Sequence, residues 1–356
     1  MRFLAVAIVA ALLAGCAAAI APHDAPPPAP RSAAANAPEL TGDRFVAADG
    51  AALPLRRWLP PGSPAAVILA LHGFNDYSNA FAGPGAAWAR LGIATYAYDQ
   101  RGFGAAPGRG RWVGGQRLAE DAAGAARLLR QRYPSVPLYL LGESMGGAVA
   151  VLAASGKSGA PVPAVDGVIL VAPAVWGRET MTLLERVSLW FAGLMPDASF
   201  SPDIIPIEIM PSDNIAMLRA FNADPLVIVE TRADAINGLV DLMSAALHAG
   251  AWFDAPALLL YGEHDEIVPR APMQRFVRAL PPQAELRQRV ALYPRGYHML
   301  LRDLDASLPV GDVAAWVADH AAPLPSHADR DARARLTGRS EPLSAAGRSL
   351  DAGKTN

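Results

Sequence analysis

Three residue types, in a fixed order along the chain, raise the first question of chemistry. The apolar run 138–141 leads into Gly142-Glu143-Ser144-Met145-Gly146-Gly147, which is followed by an Ala/Val-rich stretch. A serine between glycines, at a strand-to-helix junction, can occupy a sharp turn because its small neighbours let the backbone close. Its hydroxyl then stands exposed in front of a helix N-terminus. That arrangement suits nucleophilic attack on a carbonyl, which needs a base beside the serine and an acid beside the base. Asp265 lies in Gly262-Glu263-His264-Asp265-Glu266-Ile267-Val268-Pro269, on the turn after one apolar run. His298 lies in Gly296-Tyr297-His298-Met299, after another. Serine, acid and histidine in that order form one of the recurrent arrangements of such a triad. His298 is therefore the candidate general base, with Asp265 holding its tautomer. Glu263 and Glu266 are rival acids that read better as exposed loop carboxylates. The other histidines fit less well: His23 and His327 fall in low-complexity ends, and His248 in a helical stretch. His264 precedes the last strand, His320 closes the last helix, and His72 reads as loop packing.

The elements that must position these groups alternate in type. Around Ala48-Asp49-Gly50 two short strand patterns flank a strong hairpin signal. Apolar runs of buried-strand type then occur at 67–71, 93–98, 138–141, 165–171, 257–261 and 286–292, with helical stretches such as 118–133 between most of them. Strands separated by helices imply crossover connections and a mainly parallel sheet covered on both faces. The interval 175–250 is too long for a loop and carries helical patterns at 181–195, 215–221 and 233–248. It reads as a helical cap inserted between two strands. Five of the nine methionines fall in it (Met181, Met195, Met210, Met217, Met243), with Trp176, Trp190 and Phe191. Such side chains suit either a pocket for a variable apolar group or the cap's own core.

Five segments together resemble the α/β-hydrolase superfamily, in its monoacylglycerol-lipase and lysophospholipase-like branch (serine aminopeptidase S33 type). They are His72-Gly-Phe-Asn-Asp-Tyr-Ser78, Tyr98-Asp-Gln-Arg-Gly-Phe-Gly104, and the segments around Ser144, Asp265 and His298. The resemblance covers roughly residues 44–320. It implies an α/β fold with a mostly parallel eight-stranded sheet flanked by helices and a cap between strands. It also implies a metal-free Ser-Asp-His triad, no cofactor, and ester substrates with an acyl chain. The oxyanion donors it implies are the backbone N–H groups of Phe74 and Met145. Two positions depart from the branch: Ala106 where Ser is common, and Tyr77 where His is frequent.

Composition bounds the rest. The 356 residues carry a net charge of −2, and 29 of the 31 basic residues are scattered arginines, so there is no basic footprint for nucleic acid. A single cysteine, Cys16, excludes a disulfide framework and a multi-thiolate metal site. Arg2, an apolar run and Leu13-Ala14-Gly15-Cys16 resemble a bacterial lipoprotein signal with its lipobox. Residues 1–16 are therefore expected to be a signal peptide, with Cys16 lipidated and the protein anchored in the bacterial cell envelope. An ordinary signal peptide with a soluble secreted or periplasmic product, or an uncleaved span, is the alternative. Residues 17–40 read as a Pro/Ala-rich linker, 41–322 as the hydrolase domain and 323–356 as a disordered tail.

The leading expectation is a serine hydrolase acting on small-molecule acyl esters or lipids through an acyl-enzyme on Ser144. A short-chain carboxylesterase, a proline-type aminopeptidase or an acyltransferase would use the same triad. A membrane-anchored binding protein that kept the fold without the chemistry is the non-enzymatic reading.

Overall fold

The computed structural model describes residues 38–201 and 209–338. Cys16, the signal segment, most of the linker and residues 339–356 lie outside them. The strands in chain order are β1 (Glu39–Leu40), β2 (Arg44–Val46), β3 (Ala52–Trp58), β4 (Ala66–Leu71), β5 (Ile93–Tyr98) and β6 (Leu138–Glu143). They continue with β7 (Gly167–Val171), β8 (Ser199–Phe200), β9 (Thr231–Arg232), β10 (Ala257–Gly262) and β11 (Gln288–Tyr293). The α-helices are α1 (Ala82–Arg90), α2 (Gly115–Arg132), α3 (Met145–Ala154), α4 (Leu183–Gly193) and α5 (Ile215–Ala223). After them come α6 (Ala233–Ala249), α7 (Arg270–Ala279), α8 (Ser307–Ala318) and α9 (Ala332–Thr337).

Nine strands form the main sheet, in the order β1-β2-β3-β5-β4-β6-β7-β10-β11. From β5 to β11 every pairing is parallel, while β1, β2 and β3 add an antiparallel edge. Strands β4, β5, β6, β7 and β10 are buried along their whole length, which is why they read as unbroken apolar runs rather than alternating ones. Successive connections leave β4 toward β5 on one side and return to β6 on the other. The crevice beyond the carboxyl ends of β4 and β6 is thus a topological switch point, where ligands of such sheets gather.

Two expectations are corrected. The sheet has nine strands rather than eight, because Glu39–Leu40, inside the segment read as linker, pairs with Phe45 and Val46. The segment after residue 322 is packed as far as Gly338. Leu324, Ala328, Ala332 and Leu336 recur every fourth residue and are all buried, while Leu292 of β11 donates its N–H to the Ala328 carbonyl. Arg289 reaches the carbonyls of residues 320–322, and Arg333 that of Gln288, so this strap covers the edge strand. It is short of large apolar residues, but Leu324 and Ala328 pack into one core cluster of the sheet and Ala332 and Leu336 into the other.

Between β7 and β10 stand α4, α5, α6 and the small antiparallel β8–β9 pair, in the interval expected to be a cap. Helix α6 packs on α2 and on α3, the helix that begins beside Ser144.

Candidate active site

Ser144 sits between β6 and α3 with φ 53° and ψ −116°, a conformation that is costly for a residue with a side chain. The surroundings hold it there. Its N–H donates to the Val171 carbonyl, and its own carbonyl accepts from Ala148 and Ala174. The neighbouring glycines are required by space. A Cβ on Gly142 would lie 2.2 Å from the Gly146 carbonyl oxygen, and one on Gly146 would lie 2.1 Å from that of Leu71. Any side chain at either position would force the turn open.

Asp265 and His298 occupy the turns after β10 and β11, and these turns are locked together in the same way. A Cβ on Gly262 would meet the Gly296 carbonyl oxygen at 2.4 Å. His298 Nδ1 lies 2.9 Å from Asp265 Oδ2, and Asp265 Oδ1 accepts from the N–H groups of Ile267 (2.9 Å) and Val268 (2.8 Å). The carboxylate is thereby fixed, and the ring presents Nε2 as its free nitrogen. Burial disfavours a charged ring at His298. The charge and hydrogen bond of Asp265, with Glu143 behind it, outweigh burial and raise its pKa above the ordinary histidine value. Ser144 and His298 both line one cavity of about 390 Å³.

The rival carboxylates are engaged elsewhere: Glu263 pairs with Arg270 and Arg335, and Glu266 accepts from the Met210 N–H. His264 is exposed and stacks on Tyr297. His72 is a packing residue, since Gln100 donates its N–H to Nε2 at 2.9 Å while Nδ1 lies 2.8 Å from the Gly73 carbonyl. Burial lowers its pKa, so it is neutral. Its loop does approach the nucleophile: a Cβ on Gly73 would lie 3.9 Å from Ser144 Oγ. Phe74 lines the cavity, and Met145 is the first residue of α3, where N–H groups lack intrahelical acceptors.

The cap roofs the apolar part of the cavity with Met181, Leu189, Ile236, Leu239 and Met243, beside Trp176. Of the cap residues expected to line a pocket or fill a core, Trp190, Phe191, Met195 and Met210 are exposed instead. The cap is fastened at two places. Asn75 donates to Thr231 Oγ1 and Tyr77 to Asp224 Oδ2, each at 2.6 Å, tying it to the loop after β4. Ser212 donates to Asp303 (2.6 Å), and Met299 to the Pro211 carbonyl, tying it to the histidine loop.

Sequence reasoning missed one set of residues. Arg302, four positions after His298, places Nη1 2.8 Å from Asp76 and Nη2 3.3 Å from Glu143, all within the cavity wall. Glu143 is the variable residue of G-x-S-x-G. A charge closing an otherwise apolar strand was the available signal.

A family model described as serine aminopeptidase, S33, matches residues 62–305. The chain is 27% identical over 298 residues to a monoglyceride lipase of Rattus norvegicus, covering 81% of this chain and 94% of that protein. It is 24% identical over 284 residues to a monoacylglycerol lipase of Mycolicibacterium smegmatis, covering 78% and 96%. Its fold is similar to that of a soluble variant of monoglyceride lipase from Saccharomyces cerevisiae, solved with a substrate analog. The TM-score there is 0.65 at 21% identity, over 83% of this chain and 99% of that one. With the family model spanning most of the folded region and the fold agreeing, the chain belongs to the serine aminopeptidase S33 family of α/β-hydrolases.

Proposed function

We propose that this protein is a serine hydrolase of carboxylic esters bearing an acyl chain, of the monoacylglycerol-lipase or lysophospholipase type. The observation that carries the reading is one cavity with Ser144 and the Asp265-bound His298 at one end and apolar cap side chains at the other. An acyl chain fills the apolar end while its carbonyl lies against Ser144. Ser144 Oγ attacks the carbonyl carbon and passes its proton to His298 Nε2. Asp265 keeps Nδ1 protonated and stabilises the imidazolium. The negative oxygen of the tetrahedral intermediate accepts from the N–H groups of Phe74 and Met145; each such donor contributes about 3 kcal/mol to the transition state. His298 returns the proton to the departing alcohol. Water, deprotonated by the same ring, then releases the acid from Ser144. No step calls for a cofactor.

The aminopeptidase alternative needs a carboxylate for a substrate ammonium. Of the four carboxylates in the cavity wall, Asp76 and Glu143 are paired with Arg302, while Glu185 and Glu266 accept from the Thr182 and Met210 N–H groups. The ester reading is therefore preferred. A chain-length series of acyl esters, run beside peptide amides, tests it. The expected result is ester turnover that rises with chain length and is lost in Ser144→Ala. Activity confined to acetyl esters or to amides would overturn the lipase reading, and product that forms only with an added alcohol would make the protein a transferase.

We further propose that Cys16 carries a lipid anchor holding the domain at the bacterial cell envelope. The lipobox-like Leu13-Ala14-Gly15-Cys16 and the Pro/Ala-rich stretch behind it support this reading.

A further inference from the structure

The histidine loop, the loop after β4 and the nucleophile turn converge on one side chain. Arg302 belongs to the histidine loop, and its N–H donates to the Met299 carbonyl. Its guanidinium reaches Asp76, two residues beyond Phe74, and Glu143, the residue before Ser144. On the cap side, Asn214 donates to the Arg302 carbonyl at 3.0 Å, and the Phe221 ring of α5 lies 5.7 Å from the guanidinium carbon. The three charged side chains are 13%, 5% and 3% exposed, so the two ion pairs are largely removed from bulk water, while Glu143 Oε1 and Arg302 Nε are buried without a hydrogen-bond partner. It holds two carboxylates and one guanidinium beside the ring that becomes positive during attack, and burial raises the Glu143 pKa against the opposing charge of Arg302.

We propose that Arg302 is a positioning residue: its fork on Asp76 and Glu143 sets the distance between nucleophile, base and oxyanion loop. The proposal rests on the Ser144 reading above and adds a role that the triad itself does not require. It explains why a charged residue is tolerated at the end of a wholly buried strand. Glu143 raises the pKa of His298 and Arg302 lowers it. The remaining groups facing the ring are Asp265, with Asp303 on its own loop and Glu266 at the cavity wall.

The test measures the rate of Ser144 acylation by a fluorophosphonate and the pH profile of kcat/KM on a soluble acyl ester. Arg302→Met is expected to slow acylation about a hundredfold with KM little changed, since misplacement by about 1 Å costs that much. Arg302→Lys should recover part of the loss, because it keeps the charge but not the fork. Glu143→Gln, which preserves shape, should move the acid limb of the profile to lower pH and keeps the test decisive if Arg302→Met does not fold. Folding is checked by thermal melting. Folded Arg302→Met with wild-type acylation, or Glu143→Gln with an unmoved acid limb, overturns the positioning role. Full activity in Ser144→Ala would instead overturn the mechanism beneath it, and the two failures are distinguishable.

Discussion

At the residue scale, the proposed chemistry depends on a base that must be neutral before it acts. His298 has a raised pKa, so the neutral fraction at a given acidic pH is smaller than for an ordinary histidine. Activity should rise with pH through that pKa. The midpoint of the acid limb of kcat/KM is expected above about 6.5, the unperturbed value. Asp265→Asn, which removes the strongest opposing charge and the tautomer lock, should lower kcat by about four orders of magnitude. A pH-rate profile of both proteins checks this; a midpoint below that of free histidine would contradict it. Ser144, Asp265 and His298 were legible in the sequence because each follows an apolar run at the carboxyl end of a strand. Asp76, Glu143 and Arg302 were not. The two ion pairs join residues 159 and 226 positions apart, and charged residues beside a motif carry no pattern of their own. Only folding brings them together.

At the element scale, strands were easier to read than edges. The strands β4, β5, β6, β7 and β10 announce themselves as continuous apolar runs because both faces are covered. Cap helices α4, α5 and α6 appear within two residues of their expected limits. Edge pieces were missed for the opposite reason. Strand β1 is two residues long, and the strap 323–338 offers only four regularly spaced small or apolar side chains. That strap is nevertheless part of the fold: α9 packs on α7 and β11, and Arg335 pairs with Glu263, two residues before Asp265. Leu336→Ala, at a fully buried site, is expected to destabilise the protein by about 2–5 kcal/mol. Denaturant unfolding would show this; an unchanged midpoint would mean that the strap does not contribute to stability. Tyr77, whose pKa is pushed up to about 12 by burial and then by Asp224, remains a neutral donor at working pH. Its hydroxyl therefore fastens the cap to the loop after β4 across the whole acid limb.

At the scale of the whole molecule, the proposed lipid anchor would join the hydrolase domain to a membrane surface. The described residues contain no cysteine, and the proposed nucleophile is a serine, so the proposed chemistry does not call on Cys16. Cys16→Ala is expected to move the protein from the membrane fraction to the soluble one without altering turnover of a soluble ester. Unchanged fractionation would count against lipidation. The central claim, however, concerns Ser144. The most direct test is mass spectrometry of the purified protein after treatment with a fluorophosphonate. The account predicts a single stoichiometric adduct on Ser144, lost in Ser144→Ala and strongly slowed in His298→Ala. An unlabelled protein, or an adduct on any other residue, would contradict it.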